Sequence, residues 1–281
     1  MTYRSILVHL DESPRCAART DLAASLALAH NAHLRGLAPT GLVNLPARAT
    51  PWVGRSPNDY LELAQGGLVE RAKALVSEFE RRVRTIGVES FDGRVDEDDT
   101  VPSLVRHAGV HDLVVLGQTD RSVPSTTLEI AVPEQVLLHG GTATLVVPTV
   151  GRFERIGQNV AVAWNATRES ARALHDAMPM LRRARVVHLV CLERESDLHH
   201  VSRLQLNDAR DWLHRQGVEL HIHQEPVRGD VGEALLSRAD DLGADLFVMG
   251  GYGHSRMAEF LLGGVTRRLL AQMTLPIVLS H

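Results

Sequence analysis

Residues 249–253 read Met-Gly-Gly-Tyr-Gly, and after nine more residues 263–266 read Gly-Gly-Val-Thr. The apolar run Asp245-Leu-Phe-Val-Met-Gly250 before them has the character of a buried strand. In an open parallel sheet, ligands collect at the carboxyl ends of strands. A helix N-terminus there presents unpaired backbone N–H groups and the positive end of its dipole to a phosphate. Glycine lets the backbone approach that phosphate closely, and it also serves any turn that needs a positive φ, so turn-making alone is the competing reading.

Other residue types give weaker signals. The chain has 15 histidines, including the adjacent His199 and His200 and the alternating pair His221 and His223, which share one face if their segment is a strand. No carboxylate or cysteine stands at ligand spacing around them, so the expectation is packed or surface histidines and no metal site. Trp164 and Trp212 read as amphipathic core or interface residues. Cys16 and Cys191, the only cysteines, are too far apart for a CxxC motif and point to a reducing compartment. Near the glycines there is no P-loop lysine, no carboxylate pair for a metal, and no evident base or nucleophile beyond Tyr252 and His254, so no catalytic residue is assigned.

The elements that must position the glycines are repeated. At a period of about 150 residues the chain reads alike twice, and such self-similarity decides the fold. Ile6-Leu-Val-His-Leu-Asp11 returns as Val160-Ala-Val-Ala-Trp-Asn165, and Asp112–Gly117 returns as Asp245–Gly250. Thr142–Pro148 returns as Thr274–Ser280. Helical apolar spacing follows the first strand of each half, at Ala17, Ala18, Leu22, Ala23, Leu26 and Ala27 and at Ala171, Ala173, Leu174 and Ala177. Further helices are expected over Leu68–Val83 and Val201–His214, each closed by a Gly-Val pair, Gly87-Val88 and Gly217-Val218. Alternating helices and near-continuous apolar strands mean a parallel sheet covered on both faces in each half. The boundary falls at a polar linker, 151–158, giving domains 1–150 and 151–281. The halves differ at Pro39–Gly67, a proline- and glycine-rich connection that reads as a loop or lid.

This order of elements, with Gly250, Gly253 and Gly263 at the spacing of a glycine, two residues, a glycine, nine residues and a glycine, resembles a tandem universal stress protein. The resemblance covers nearly the whole chain. It implies two adenine nucleotide alpha hydrolase-like domains, each a mostly parallel five-stranded sheet flanked by helices, packed as a pseudo-dimer. It also implies that the final strands, 144–147 and 276–279, pair antiparallel. That pairing covers edges that would otherwise recruit other chains, and Pro276 fits only at a strand end. The implied ligand is ATP, or AMP or ADP, with or without Mg, held by Ala163, Asn165, Leu189, Met249, Gly250, Gly253, Gly263, Gly264, Val265 and Thr266. The family usually has Asp where Asn165 stands, facing the adenine. An amide there can both accept and donate, and Asn is also a favoured helix cap. Gly264 replaces the family's Ser or Thr, which removes one side-chain hydrogen bond to phosphate.

The N-terminal half keeps Asp11 but has Gly117-Gln-Thr-Asp120 and Ile130-Ala131 in place of the glycine pattern, and Pro133, in the first turn of the next helix, has no N–H to offer. It reads as degenerate toward nucleotide, with a neutral or apolar ligand as the alternative. The chain has 281 residues, 44% apolar and 23% charged, with 34 acidic and 30 basic residues mixed along it, a net charge of −4. That is an ordinary globular composition with no basic block, so nucleic acid is not an expected partner. There is no signal-peptide core and no apolar run near the roughly 18 residues of a membrane span, so the expectation is a soluble, cytoplasmic chain. The function expected is regulatory, a stress-response protein that binds adenine nucleotide in its C-terminal domain and signals to a regulatory protein, with any homodimer using faces other than the paired strands. The alternatives are a nucleotide-free docking module or, at most, a weak ATPase.

Overall fold

The computed structural model describes residues 2–41, 57–119, 132–194, 201–252 and 264–281, with the side chains of 57–65 left aside. Its frame is one ten-stranded sheet in the order β3-β2-β1-β4-β5-β10-β9-β6-β7-β8. The first half supplies β1 (Ser5–His9), β2 (His33–Pro39), β3 (Phe91–Asp96), β4 (Leu113–Gly117) and β5 (Thr144–Val147). The second supplies β6 (Asn159–Ala163), β7 (Val186–Glu193), β8 (Leu220–Pro226), β9 (Leu246–Gly250) and β10 (Ile277–Ser280). Each half is a five-stranded parallel sheet with the same internal order, as the repeat requires.

The halves join where β5 and β10 pair antiparallel, with Val146 opposite Ile277 and Leu145 opposite Val278. This is the pairing the resemblance implied, and Pro276 stands just outside β10, where its missing N–H costs no ladder bond. Side chains bind the halves further. Leu137 and Val146 share one apolar cluster with Phe247, Met249, Ile277 and Leu279. The Tyr3 hydroxyl donates to the Asp176 carbonyl at 2.8 Å, and Gln118 donates from Nε2 to the Leu270 carbonyl at 2.8 Å.

Helices cover both faces because every strand alternates its apolar side chains between them. On one face α1 (Cys16–His30), α2 (Pro57–Ile86), α5 (Arg168–Leu181) and α6 (Arg203–Arg215) lie over Ile6, Val8, Val160, Val162 and Leu189. The other face carries α3 (Thr100–Ala108), α4 (Val132–His139), α7 (Val231–Asp241) and α8 (Gly264–Gln272). Gly87 and Gly217 take φ of +94° and +79°, and Val88 and Val218 donate back to the carbonyls of Val83 and Leu213, so both Gly-Val pairs close their helices as read. Two boundaries differ from the sequence reading. Helix α2 already begins at Pro57, so the end of the connection taken for a loop or lid is helical, and residues 42–56 lie outside the described residues. Helix α6 starts at Arg203 because Ser202 caps it, accepting from the Gln205 N–H at 3.2 Å. Among the described residues no helix is long and apolar enough to cross a membrane.

Candidate functional site

In each half the chain leaves the first strand toward one side of the sheet and later resumes on its other side. In the C-terminal half β6 lies between β7 and β9, and in the N-terminal half β1 lies between β2 and β4. At such a switch point, the helices that follow the two neighbouring strands depart to opposite faces and leave a crevice at the carboxyl ends. Asn165 follows β6 and Gly250 ends β9, so the structure sets these two expected site residues on the two sides of the C-terminal switch point.

The crevice edge next to β6 is built by a tight turn. Asn165 is exposed, and its Oδ1 accepts from the Thr167 hydroxyl at 2.8 Å and the Thr167 N–H at 3.3 Å. Thr167 is the cap of α5, in a reciprocal box with Ser170, so Asn165 orders the approach to the helix without capping it. The NH2 of Asn165 has no protein partner among the described residues and is free to donate. Ala163 is half-buried at the end of β6. Leu189 departs from its expected place. It is fully buried in the layer beneath α5 and α6, so it packs the strand and offers no surface to a ligand.

On the β9 side, a Cβ at Gly250 would stand 2.5 Å from the Glu169 carbonyl carbon and 2.6 Å from the Ser170 nitrogen. Only glycine lets the strand end pack this closely on the first turn of α5. Gly251 is held against the other half, where a Cβ would meet Leu137 at 2.6 Å. Met249 is buried in the core. Tyr252 takes a left-handed φ of 53°, and its N–H donates to the Thr266 hydroxyl at 3.3 Å. Thr266 is buried, and its side chain ties the start of α8 to the Tyr252 backbone. At the start of α8 Gly264 is exposed, a Cβ there would meet nothing within 4 Å among the described residues, and Val265 beside it is half-buried. Gly253 and Gly263 lie outside the described residues, as does His254.

Two ionisable groups shape this region. Glu169 is buried on the first turn of α5, with its backbone packed against Gly250 and its Oε1 3.2 Å from Arg168 Nη2. The Tyr252 hydroxyl is buried without a hydrogen bond, and burial together with the nearby Glu134 charge pushes its pKa well above the ordinary phenol value. Neither group was singled out as a neighbour of phosphate by spacing.

The N-terminal crevice is filled from within. Arg19, on α1, is almost fully buried, its Nε donates to the His9 carbonyl at 2.9 Å, and its Nη2 lies 2.9 Å from Asp11 Oδ1. Its Nη1 occupies the space a Cβ would need at Gly117, the end of β4. The guanidinium therefore sits between the two strand ends. Asp11 also accepts from the Ser13 N–H at 3.0 Å and the Ser13 hydroxyl at 2.6 Å. Burial is the largest single influence and would raise its pKa, but the Arg19 and His9 charges and the hydrogen bonds from Ser13 and Arg19 together outweigh it, and the carboxyl is held at about 2. Burial lowers His9 to about 4, leaving its imidazole neutral at pH 7. The sequence did carry a signal for Arg19. It falls on the apolar face marked by Leu22, Ala23 and Leu26, and a cation there must find a buried partner. Asp120, Ile130 and Ala131 lie outside the described residues, and Pro133 stands in the first turn of α4 as read.

Elsewhere, His221 and His223 do lie on one strand, β8, and both meet His188 of β7: His223 Nε2 is 3.0 Å from His188 Nδ1, and the His221 ring stacks 5.6 Å away. Among the described residues no three His, Cys, Asp or Glu side chains are set to hold a metal ion.

Residues 157–281 match the model of the Universal stress protein family. A universal stress protein of Mycobacterium tuberculosis is 32% identical over 76 residues, which is 27% of this chain and 51% of the relative. One from Synechocystis is 30% identical over 73 residues, 26% of this chain and 25% of the relative. The chain thus spans about half or less of the length of the curated relatives it matches. A universal stress protein from Archaeoglobus fulgidus superposes with a TM-score of 0.75 at 17% identity, covering 98% of this chain and 95% of that one. A Pseudomonas aeruginosa protein described as functionally unknown gives 0.58 at 16% identity, covering 99% and 92%. At these identities the superpositions speak for the fold.

Proposed function

We propose that the chain is a universal stress protein family member, a regulatory stress-response protein that holds one adenine nucleotide, ATP or its AMP or ADP relative, in a C-terminal domain of residues 151–281. The N-terminal domain, 1–150, is a fixed partner that does not take up nucleotide. The observation that carries this reading is the difference between the two switch points. One is filled by the Arg19 guanidinium against Asp11, and the other is bordered by glycine and a free amide.

The residues at the second crevice fit a nucleotide. The first-turn N–H groups of α8 have no intrahelical acceptors, Gly264 leaves open space before them, and the Asn165 NH2 can donate to a ring nitrogen of a purine. Gly253, Gly263 and Val265 complete the cradle in this proposal. The ligand supplies no chemistry here. It is held at the crevice, for a regulatory protein to read.

One observation favours the second reading, a nucleotide-free docking module. Gly264, exposed at the start of α8, stands where the family has Ser or Thr, so one side-chain hydrogen bond to phosphate is missing. Mass spectrometry of the purified, denatured chain separates the two. Stoichiometric ATP, ADP or AMP released from the protein supports the first reading. A protein that elutes empty and takes up no added nucleotide supports the second.

A further inference from the structure

The two halves enclose a cavity that the nucleotide reading does not use. It has a volume of about 420 Å³ and lies between the C-terminal end of α1, the linker and the C-terminal end of α5. Its floor is apolar, made by Leu26 of α1, Ile156 of the linker and Met180 of α5, and Leu28 extends that surface to the mouth, where it is 47% exposed. Arg155 and Arg183 stand at the rim, both exposed, and neither side chain has an ion pair or hydrogen bond among the described residues. Among the described residues no Asp or Glu lines the cavity.

The charge balance of this place is one-sided. Asp245, the acid that holds the linker, accepts from the backbone N–H groups of Gly157, Gln158 and Asn159 at 2.8 to 3.2 Å, so its charge is committed to the backbone. His30 lines the wall, but burial and the nearby Arg183 charge hold it at about 4, so at pH 7 it is neutral and adds no cation. What remains is an apolar floor under two unpaired guanidinium groups. Pockets of this size favour boundaries between domains, and guanidinium pairs with carboxylate through a planar fork.

We propose that this cavity binds an amphipathic carboxylate, its head between Arg155 and Arg183 and its chain over Leu26, Ile156 and Met180. The cavity volume of about 420 Å³ falls in the range of small-molecule pockets, ~300–1,000 Å³, and a medium-chain carboxylate such as dodecanoate is a ligand of that class. Such a ligand touches α1, the linker and α5 together, and so binds the two halves to each other.

The test is calorimetric titration of the full-length chain with dodecanoate below its micelle concentration. Dodecyltrimethylammonium, which has the same tail with a cationic head, and acetate, the head alone, serve as comparison ligands. The expected result is one dodecanoate per chain, no saturable binding of either comparison ligand, and at least tenfold weaker binding by the Arg155→Gln/Arg183→Gln variant. Both arginines are exposed and unpaired, so that variant should keep the parent melting temperature, and an equal melting temperature establishes that its fold is intact. Dodecanoate binding that the double variant retains at parent strength, or equal binding of the cationic amphiphile, overturns the proposal. So does saturation by acetate alone, which would reduce the site to an anion contact.

Discussion

Removing the Arg19 side chain tests whether the N-terminal crevice is closed by the protein's own ion pair. In Arg19→Ala the Nε–H to His9 hydrogen bond, the contact with Asp11 and the filling of the space beside Gly117 are lost together. Taking one partner from a buried ion pair costs about 3–5 kcal/mol, mostly because the other charge is left uncompensated. The Arg19 side chain is 2% exposed, whereas Asp11 keeps 32% of its side chain in solvent and can be partly rehydrated, so the low end, about 3 kcal/mol, is expected. The Asp11 carboxyl, now at about 2, should rise above its ordinary 3.8, because burial remains and the opposing cation is gone. Urea unfolding followed by circular dichroism measures the loss. A cycle with Asp11→Asn and the double variant measures the coupling, expected at about 1–3 kcal/mol. A loss under about 1 kcal/mol for Arg19→Ala, or additive single changes, would refute the claim that this pair fills the crevice.

Four further outcomes follow from the same geometry. Gly250→Ala drives a methyl into the α5 backbone at Glu169 and Ser170 and should destabilise by about 1–3 kcal/mol in the same unfolding assay. Gly264→Ser meets open space, should leave stability unchanged, and should tighten ATP by about 1 kcal/mol through one regained hydrogen bond, with less gain for AMP, as read by calorimetry. His9 and His30 have folded pKa values of about 4 against an ordinary 6.5. Their effect is absent above pH 6.5, and below it the unfolded chain takes up protons that the fold refuses. Each should withdraw up to about 3 kcal/mol as pH falls to 4, and His30→Gln should flatten that slope in a melting series. Asp11 acts with the opposite sign, its stabilisation fading only below pH 3.8, so it does not mask the histidine window. Finally, Leu137→Ala should cost about 2–5 kcal/mol, because Leu137 is buried in the cluster shared by the two halves and seats Gly251.

The sheet was legible because its strands are short apolar runs of one period and occur twice, so the repeat gave the order of elements, while the antiparallel pairing of the last strands came from the family resemblance. Helix ends were less legible. The start of α2 at Pro57 was hidden by prolines and glycines that read as a loop, although proline is well suited to a helix's first turn. The site was legible as far as the glycine spacing went. That Gly250 is needed for a strand-to-helix contact, that Thr266 turns to the Tyr252 backbone, and that Leu189 faces the core are packing facts that no local spacing encodes. Asp11 and Arg19 are eight positions apart, and each was visible as a charge. That the pair meets at the end of β4 depends on the parallel register of β1 and β4, which appears only once the sheet is assembled.

The central claim is one nucleotide site per chain, and titrating ATP into the full-length protein, stripped of bound nucleotide, tests it most directly. The account predicts a calorimetric stoichiometry near one, unchanged by Arg19→Gln and lost in Gly253→Asp, which places a carboxylate in the cradle. A stoichiometry near two, binding that survives Gly253→Asp, or no uptake of any adenine nucleotide would contradict it.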